Sequence, residues 1–239
     1  MIPLRDANPT QRTPNVTIGL IVACVIVFAF QLGEMARGGE DALGSFVTEW
    51  GIVPAELVAA LRAGAYTSLE AATLFTSQFL HGSLLHIGGN MLYLWIFGNN
   101  IEDRFGRIRF LAFYLVGGVV AGLTQVAIDP DSRIPTIGAS GAIAAILGAY
   151  LVLFPRARVT TAIFLVFFFQ LIEVPAVIVL AIWFGLQLVD GIGSLTATSA
   201  TAGGVAFFAH IGGFVFGAAV ALMVRVLGRG GSPRTRPVG

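Results

Sequence analysis

Residues 135–148 read PTIGASGAIAAILG. From Gly138 onward the run carries no charge, and a single serine, Ser140, stands between two glycines at its head. Such a serine is a helix cap, a packing residue or a nucleophile, and the segment alone does not separate the three. What the segment does predict is a short apolar helix with a polar entrance. The remainder of the chain has the same character: of 239 residues 56% are hydrophobic and 11% are charged, against about 25% charged in a soluble domain. Since about 20 apolar residues in a row cross a bilayer as a helix, the composition predicts an integral membrane protein.

Six blocks qualify as spans, at roughly 16–32, 82–101, 108–128, 138–154, 175–191 and 204–227. The apolar run from 160 to 172 is too much to add to the fifth, so it is expected to be an interfacial connector, with the helix starting near Pro175, a residue suited to a first turn. The basic residues are all arginine, and eleven of the fourteen fall before span one, between spans two and three, between four and five, or at the end of span six. The positive-inside bias then places both termini in the cytoplasm. Loop 33–81 lies outside, and within it VPAELVAALRAG predicts a short amphipathic helix on the membrane surface. Residues 1–13 and 228–239 are expected to be disordered cytoplasmic tails flanking one six-span unit, 14–227. The small-residue connector 191–203 is a candidate lid. Cys24, the lone cysteine, can form no internal disulfide.

Polar residues inside spans are costly and raise a functional hypothesis. His86 and Asn90, four apart in span two, share one helix face, whereas His81 is expected to point elsewhere, nearer the water. Span six carries His210, and span four opens at Ser140. With alternating spans, Ser140, His210, His86 and Asn90 all fall at similar depth in the outer leaflet, an agreement that the choice of spans did not force. Ala209, Gly213 and Gly217 on span six, and Gly141, Ala145 and Gly148 on span four, offer small-residue faces that let helix backbones meet.

A serine hydroxyl needs a base within hydrogen-bond reach before it is a good nucleophile, and His210 is the histidine outside the span-two region. Acyl transfer also needs donors for a developing oxyanion. The free N–H groups at the start of span four, the Ser140 backbone among them, and the side chains of His86 and Asn90 are candidates. Gly138 permits close backbone approach, and Gly141 leaves room for span six. No carboxylate in spans four or six is placed to orient His210, which points to a dyad. Three histidines also suggest a metal, but no carboxylate or thiolate accompanies them and the HExxH pattern is absent. A transporter would want a polar path through the midplane, and the outer polar residues do not continue inward.

The segments HGSLLHIGGN, IEDRFGRIRF, GASG and AHIGGFVFG, in this order and spacing over about residues 14–227, resemble those of the rhomboid-family intramembrane serine proteases. The resemblance implies an all-α membrane fold, a six-transmembrane-helix rhomboid-like bundle. It implies Ser140 as nucleophile and His210 as general base, with His86, Asn90 and the Ser140 backbone stabilising the oxyanion, and Gly138, Gly141, His81 and Gly213 supporting the motifs. The implied reaction is hydrolysis of a peptide bond in or beside a substrate's transmembrane segment, with no cofactor or metal. The partners would be transmembrane protein substrates and the lipid bilayer, with no nucleic acid. A bacterial-type cell inner membrane is expected, with the site opening to the non-cytoplasmic side. Glu102 and Arg104 are expected to fix helix ends. Two features depart from many members: Ala144 stands where an aromatic residue packs on the histidine, and Trp50-Gly51 replaces a Trp-Arg pair. The alternatives are a catalytically silent rhomboid-like protein that binds transmembrane clients, and a polar-site transporter.

Overall fold

The computed structural model describes residues 2–165, 168–196 and 206–229. The chain is mostly helical. It opens with a strand, β1 (Ile2–Asp6), followed by a 36-residue helix, α1 (Asn15–Trp50), that breaks its helical geometry at Gly39. Two short helices follow, α2 (Pro54–Arg62) and α3 (Leu69–Thr76). The next helical run starts as α4 (Leu84–Tyr93), passes through a π-helical turn at Leu94–Gly98 and finishes as α5 (Asn99–Phe105). Then come α6 (Arg107–Ile128) and α7 (Ser140–Leu153), a hairpin of β2 (Arg158–Leu165) and β3 (Phe168–Pro175), and finally α8 (Ala176–Thr196) and α9 (Phe207–Arg229).

Among the described residues, three helices are long and apolar enough to cross a membrane: Asn15–Trp50, Arg107–Ile128 and Phe207–Leu227. Ser140–Leu153 and Ala176–Leu186 are shorter apolar helices. The exposed faces are apolar too, with Val22, Ile26, Val116, Ile182 and Val215 all outward. That pattern suits a lipid solvent, in which burial of apolar side chains is not what drives helices together.

Several expectations need correction. The fold is not all-α, because β1, β2 and β3 form a three-stranded antiparallel sheet. The apolar run 160–172, expected as an interfacial connector, is most of the β2–β3 hairpin, paired from Arg158↔Pro175 to Leu165↔Phe168. Its composition explains this, since β-branched and aromatic residues fill it and suit a pleated surface. The helix does start next to Pro175, at Ala176, while Pro175 itself closes β3. Residues 2–6, expected as disordered tail, are a strand paired with β2. The first helix does not stop near residue 32: it runs on to a break at Gly39, where φ is +68°, and helical structure resumes beyond the break to Trp50. The short helix expected in the first loop is present as α2. Of the expected lid, residues 191–196 belong to α8 and 197–203 lie outside the described residues, as do 230–239 of the C-terminal tail.

Two polar clusters tie down the end of the bundle away from Ser140. The buried Glu102 carboxylate accepts bonds from the Val16 and Thr17 amides and from Thr17 Oγ1, at 3.0, 2.8 and 2.8 Å. A carboxylate there answers the unpaired N–H groups and positive pole of a helix N-terminus, so Glu102 fixes the start of α1 as expected. The second cluster holds the strand: Asp6 Oδ2 accepts from Asn100 Nδ2 at 2.6 Å and from Tyr150 Oη at 2.8 Å. Burial pushes the Asp6 carboxyl above its ordinary range, while these hydrogen bonds pull it back.

The site-bearing helices α7 and α9 make the tightest backbone contact. A side-chain carbon added at Gly213 or Gly217 would overlap the carbonyl oxygens of Gly141 and Ala145, and one at Gly148 would overlap the Phe214 carbonyl. Gly141 in turn lies against Ala121 of α6. Overpacking of this kind typically costs about 1–3 kcal/mol and sometimes more. Gly217→Ala is therefore expected to destabilise the protein by about 3 kcal/mol in detergent unfolding titrations. Gly185→Ala in α8, where none of the described residues lies within 4 Å of the added carbon, is the control and should be neutral or stabilising by about 0.5–1 kcal/mol. Equal effects at the two positions would refute the close-contact account.

Candidate active site

Ser140 is the first residue of α7, and its position is set by the segment before it. Ile52 and Thr136 exchange backbone hydrogen bonds at 3.1 and 2.8 Å, and the Gly138 amide donates to the Ser77 carbonyl at 2.9 Å. Gly138 has φ +129°, a conformation open to glycine at little cost. The helix is capped at Ala139 without any side-chain hydrogen bond. Capping therefore does not explain the serine. Its hydroxyl is engaged elsewhere: Ser140 Oγ lies 2.7 Å from His210 Nε2.

His210 lies in the first turn of α9 and is 8% exposed. The α9 entrance is fixed in part by Gln125 of α6, whose side-chain oxygen accepts from the Ala209 amide at 3.3 Å. The imidazole packs against the Trp183 ring of α8, with centroids 5.8 Å apart, and Trp183 stacks in turn on Phe214. Ala144 leaves no aromatic ring on α7 beside the histidine, and a ring from α8 takes up that contact.

His86 and Asn90 are where their spacing put them, one turn apart on α4 and lining one cavity of about 580 Å³ with Ser140, His210, Trp183 and Tyr93. The Gly82 amide donates to His86 Nδ1 at 3.3 Å. In a neutral ring this leaves the proton on Nε2. That nitrogen faces Gly138: a side-chain carbon there would lie 2.9 Å from His86 Nε2 and 3.5 Å from Ser140 Oγ. Asn90 is 8% exposed, and its buried Nδ2 has no hydrogen-bond acceptor among the described residues. A buried donor left unpaired costs about 1–3 kcal/mol, so an acceptor belonging to a ligand would relieve it.

His81 does not face water as expected. It is 1% exposed, its backbone exchanges two hydrogen bonds with the Gln31 side chain, and its ring meets His86 edge-on at 5.1 Å between centroids. It acts behind His86, outside the cavity lining. Gly141 and Gly213 lie at the α7–α9 contact, where Gly213 comes against the Gly141 carbonyl. The sequence reading missed Trp183, Gln125 and Gln31. Trp183 carried a weak signal, as a tryptophan deep in an apolar span, but a ring reaching over from another helix has no spacing rule to reveal it.

The family model described as Rhomboid domain matches residues 68–226. Rhomboid protein 1, mitochondrial, of Saccharomyces cerevisiae is 32% identical over 96 residues, covering 38% of this chain and 28% of that protein. Presenilin-associated rhomboid-like protein A, mitochondrial, of Danio rerio is 39% identical over 84 residues, 34% of this chain and 22% of its own length. RHOMBOID-like protein 5 of Arabidopsis thaliana is 36% identical over 78 residues, 33% of this chain and 25% of that protein. The chain thus spans less than a third of each relative's length. The yeast and zebrafish relatives are named as mitochondrial proteins, and this overturns the expectation of a bacterial-type cell inner membrane.

The orphaned Asn90 amide gives a test that needs no substrate. Asn90→Leu is expected to leave the protein as stable as the parent or to stabilise it by about 1–3 kcal/mol, because it removes an unpaired buried donor. A loss of stability in unfolding titrations would show that Asn90 serves to hold helices together.

Proposed function

Because the chain belongs to the rhomboid family, we propose that it is an intramembrane serine endopeptidase that uses Ser140 and His210 as a catalytic dyad. The observation that carries this reading is the 2.7 Å contact between Ser140 Oγ and His210 Nε2. A hydroxyl at that distance can pass its proton to a neutral imidazole as it attacks a carbonyl. The carbonyl oxygen then becomes an oxyanion. In this reading it accepts from His86 Nε2–H, from Asn90 Nδ2 and from the free N–H groups at the start of α7. Collapse of the tetrahedral species breaks the C–N bond, with His210 returning its proton to the leaving amine. A water then attacks the acyl-serine, again with His210 as base, and releases the acid and the free serine. Only protein groups and water take part.

The same proposal includes a membrane topology. The six spans would be α1, the α4–α5 run, α6, α7, α8 and α9, with both termini on the arginine-rich side and Ser140 towards the opposite face. The six-span unit is taken as 14–227, between tails at 1–13 and 228–239. Substrates would be transmembrane segments entering sideways, and α8 is the proposed gate. Trp183, on that helix, packs on His210, so movement of α8 would expose the base and admit the peptide together. A helical substrate must unwind before its carbonyl meets Ser140. Gly or Pro near the cut lowers that cost, each disfavouring a helix interior by about 1 and 3 kcal/mol.

The test is covalent labelling. A fluorophosphonate probe followed by mass spectrometry is expected to modify Ser140. Both labelling and cleavage of a bilayer-reconstituted transmembrane substrate should disappear in Ser140→Ala, with stability changed by no more than about 1 kcal/mol. His210→Ala should lose both signals as well, and EDTA should affect neither. Unchanged labelling and cleavage in Ser140→Ala would end the reading of Ser140 as the nucleophile, whereas a parent that neither labels nor cleaves would favour a silent client-binding protein. Loss of cleavage with EDTA that zinc restores would instead point to metal chemistry.

A further inference from the structure

The end of α7 remote from Ser140 opens into a second pocket, of about 640 Å³. Four arginines from separate elements line it: Arg104 of α5, Arg156 in the turn after α7, Arg158 of β2 and Arg225 of α9, with Asn8 and Phe154 between them. All four are exposed. At 1.5 Å per residue, the 14-residue α7 sets this pocket about 20 Å from the dyad.

The carboxylates at this end are already engaged. Glu102 serves the α1 amides, Asp6 is bound by Asn100 and Tyr150, and Asp103 accepts from the Gln11 amide. Glu173 pairs loosely with Arg158 at 3.7 Å. Among the described residues, Arg104, Arg156 and Arg225 have no carboxylate partner, and Arg225 donates only to the Val152 carbonyl. Snorkelling accounts for one arginine at a helix end. It does not account for four that converge on one concavity from four elements, where their like charges repel. Guanidinium forks match phosphate oxygens in geometry and charge.

The surroundings favour a phosphate that carries acyl chains. Val215, Leu222 and Val226 form an exposed apolar stripe along α9 leading to the level of Arg225. Each is more than half exposed (55, 55 and 61%), so the stripe is uncovered by protein. We propose that this pocket binds the phosphate of an anionic phospholipid headgroup, with the acyl chains lying along α9. Basic pockets between membrane helices take such headgroups. The site is separate from the dyad and does not depend on the protease reading.

Native mass spectrometry of the full chain tests it, with protein released from micelles holding equal amounts of dioleoylphosphatidylglycerol and dioleoylphosphatidylcholine. The parent is expected to retain phosphatidylglycerol in preference. The variant Arg156→Gln/Arg225→Gln should bind it about tenfold more weakly, and Arg156→Lys, which keeps the charge but loses the fork, about threefold more weakly. Arg62→Gln, on the α2 helix, should bind as the parent does. The lysine variant carries the test if the double variant does not fold. Equal retention of the two lipids by the parent, or unchanged preference in both pocket variants, would overturn the proposal. Displacement of the lipid by millimolar inorganic phosphate would reassign the pocket to a free anion.

Discussion

Gly213 and Gly217 bring the backbone of α9 against the carbonyls of Gly141 and Ala145, and the Ser140–His210 contact depends on that approach. Serine is a short side chain. To meet an imidazole on another helix at 2.7 Å, the two backbones must lie closer than ordinary side chains allow. Ridge-into-groove packing sets helix axes about 8–10 Å apart according to the side chains between them. The lack of side chains at Gly148, Gly213 and Gly217 is what closes the gap. In lipid the contact gains little from the hydrophobic effect, so dispersion between closely matched surfaces must hold it. The glycines thus serve stability and site geometry through one feature.

A site of this kind also has to tolerate polar groups away from bulk water. The structure handles the two ends of the bundle differently. At the α5 end, Glu102 and Asp6 are buried with several donors each, so their polarity is absorbed by the fold. At the Ser140 end, satisfaction is incomplete. Among the described residues, the buried Asn90 Nδ2, which lines the cavity, has no partner. Fully paired clusters read as fastenings, and unpaired donors facing a cavity read as capacity for a ligand.

How much of this was legible in the sequence follows from the range of each signal. His86 and Asn90 could be placed on one face because helical periodicity is a local rule, and Ser140 and His210 could be matched in depth by taking the expected spans to alternate in direction. The small residues pointed to a close helix pair without giving its register. The sheet was not legible. Strand β1 pairs across more than 150 residues of chain, Ile2 with Ala162, and no local period shows that. An uncharged run of β-branched and aromatic residues also fits an interfacial segment, a strand or a tilted helix equally well. His81 was misplaced because its burial comes from Gln31, on a helix whose approach the sequence does not fix.

Trp183 ties the histidine to the outer helix α8. On α7 the position one turn beyond the serine is Ala144, fully buried and too small to cover an imidazole. Covering His210 from α8 has a consequence that covering it from α7 would not. Helix α7 is enclosed, with residues 141–150 buried, whereas α8 presents Val177, Ile178, Ile182, Leu186 and Val189 outward. An element enclosed on all sides holds a ring in one place, and an element at the edge of the bundle can withdraw one. The aromatic contact on the histidine is therefore tied to the position of the outer helix. In the proposed reaction, opening a path for substrate beside α8 would loosen the imidazole until the helix returns, and closure would restore the contact with the substrate in place.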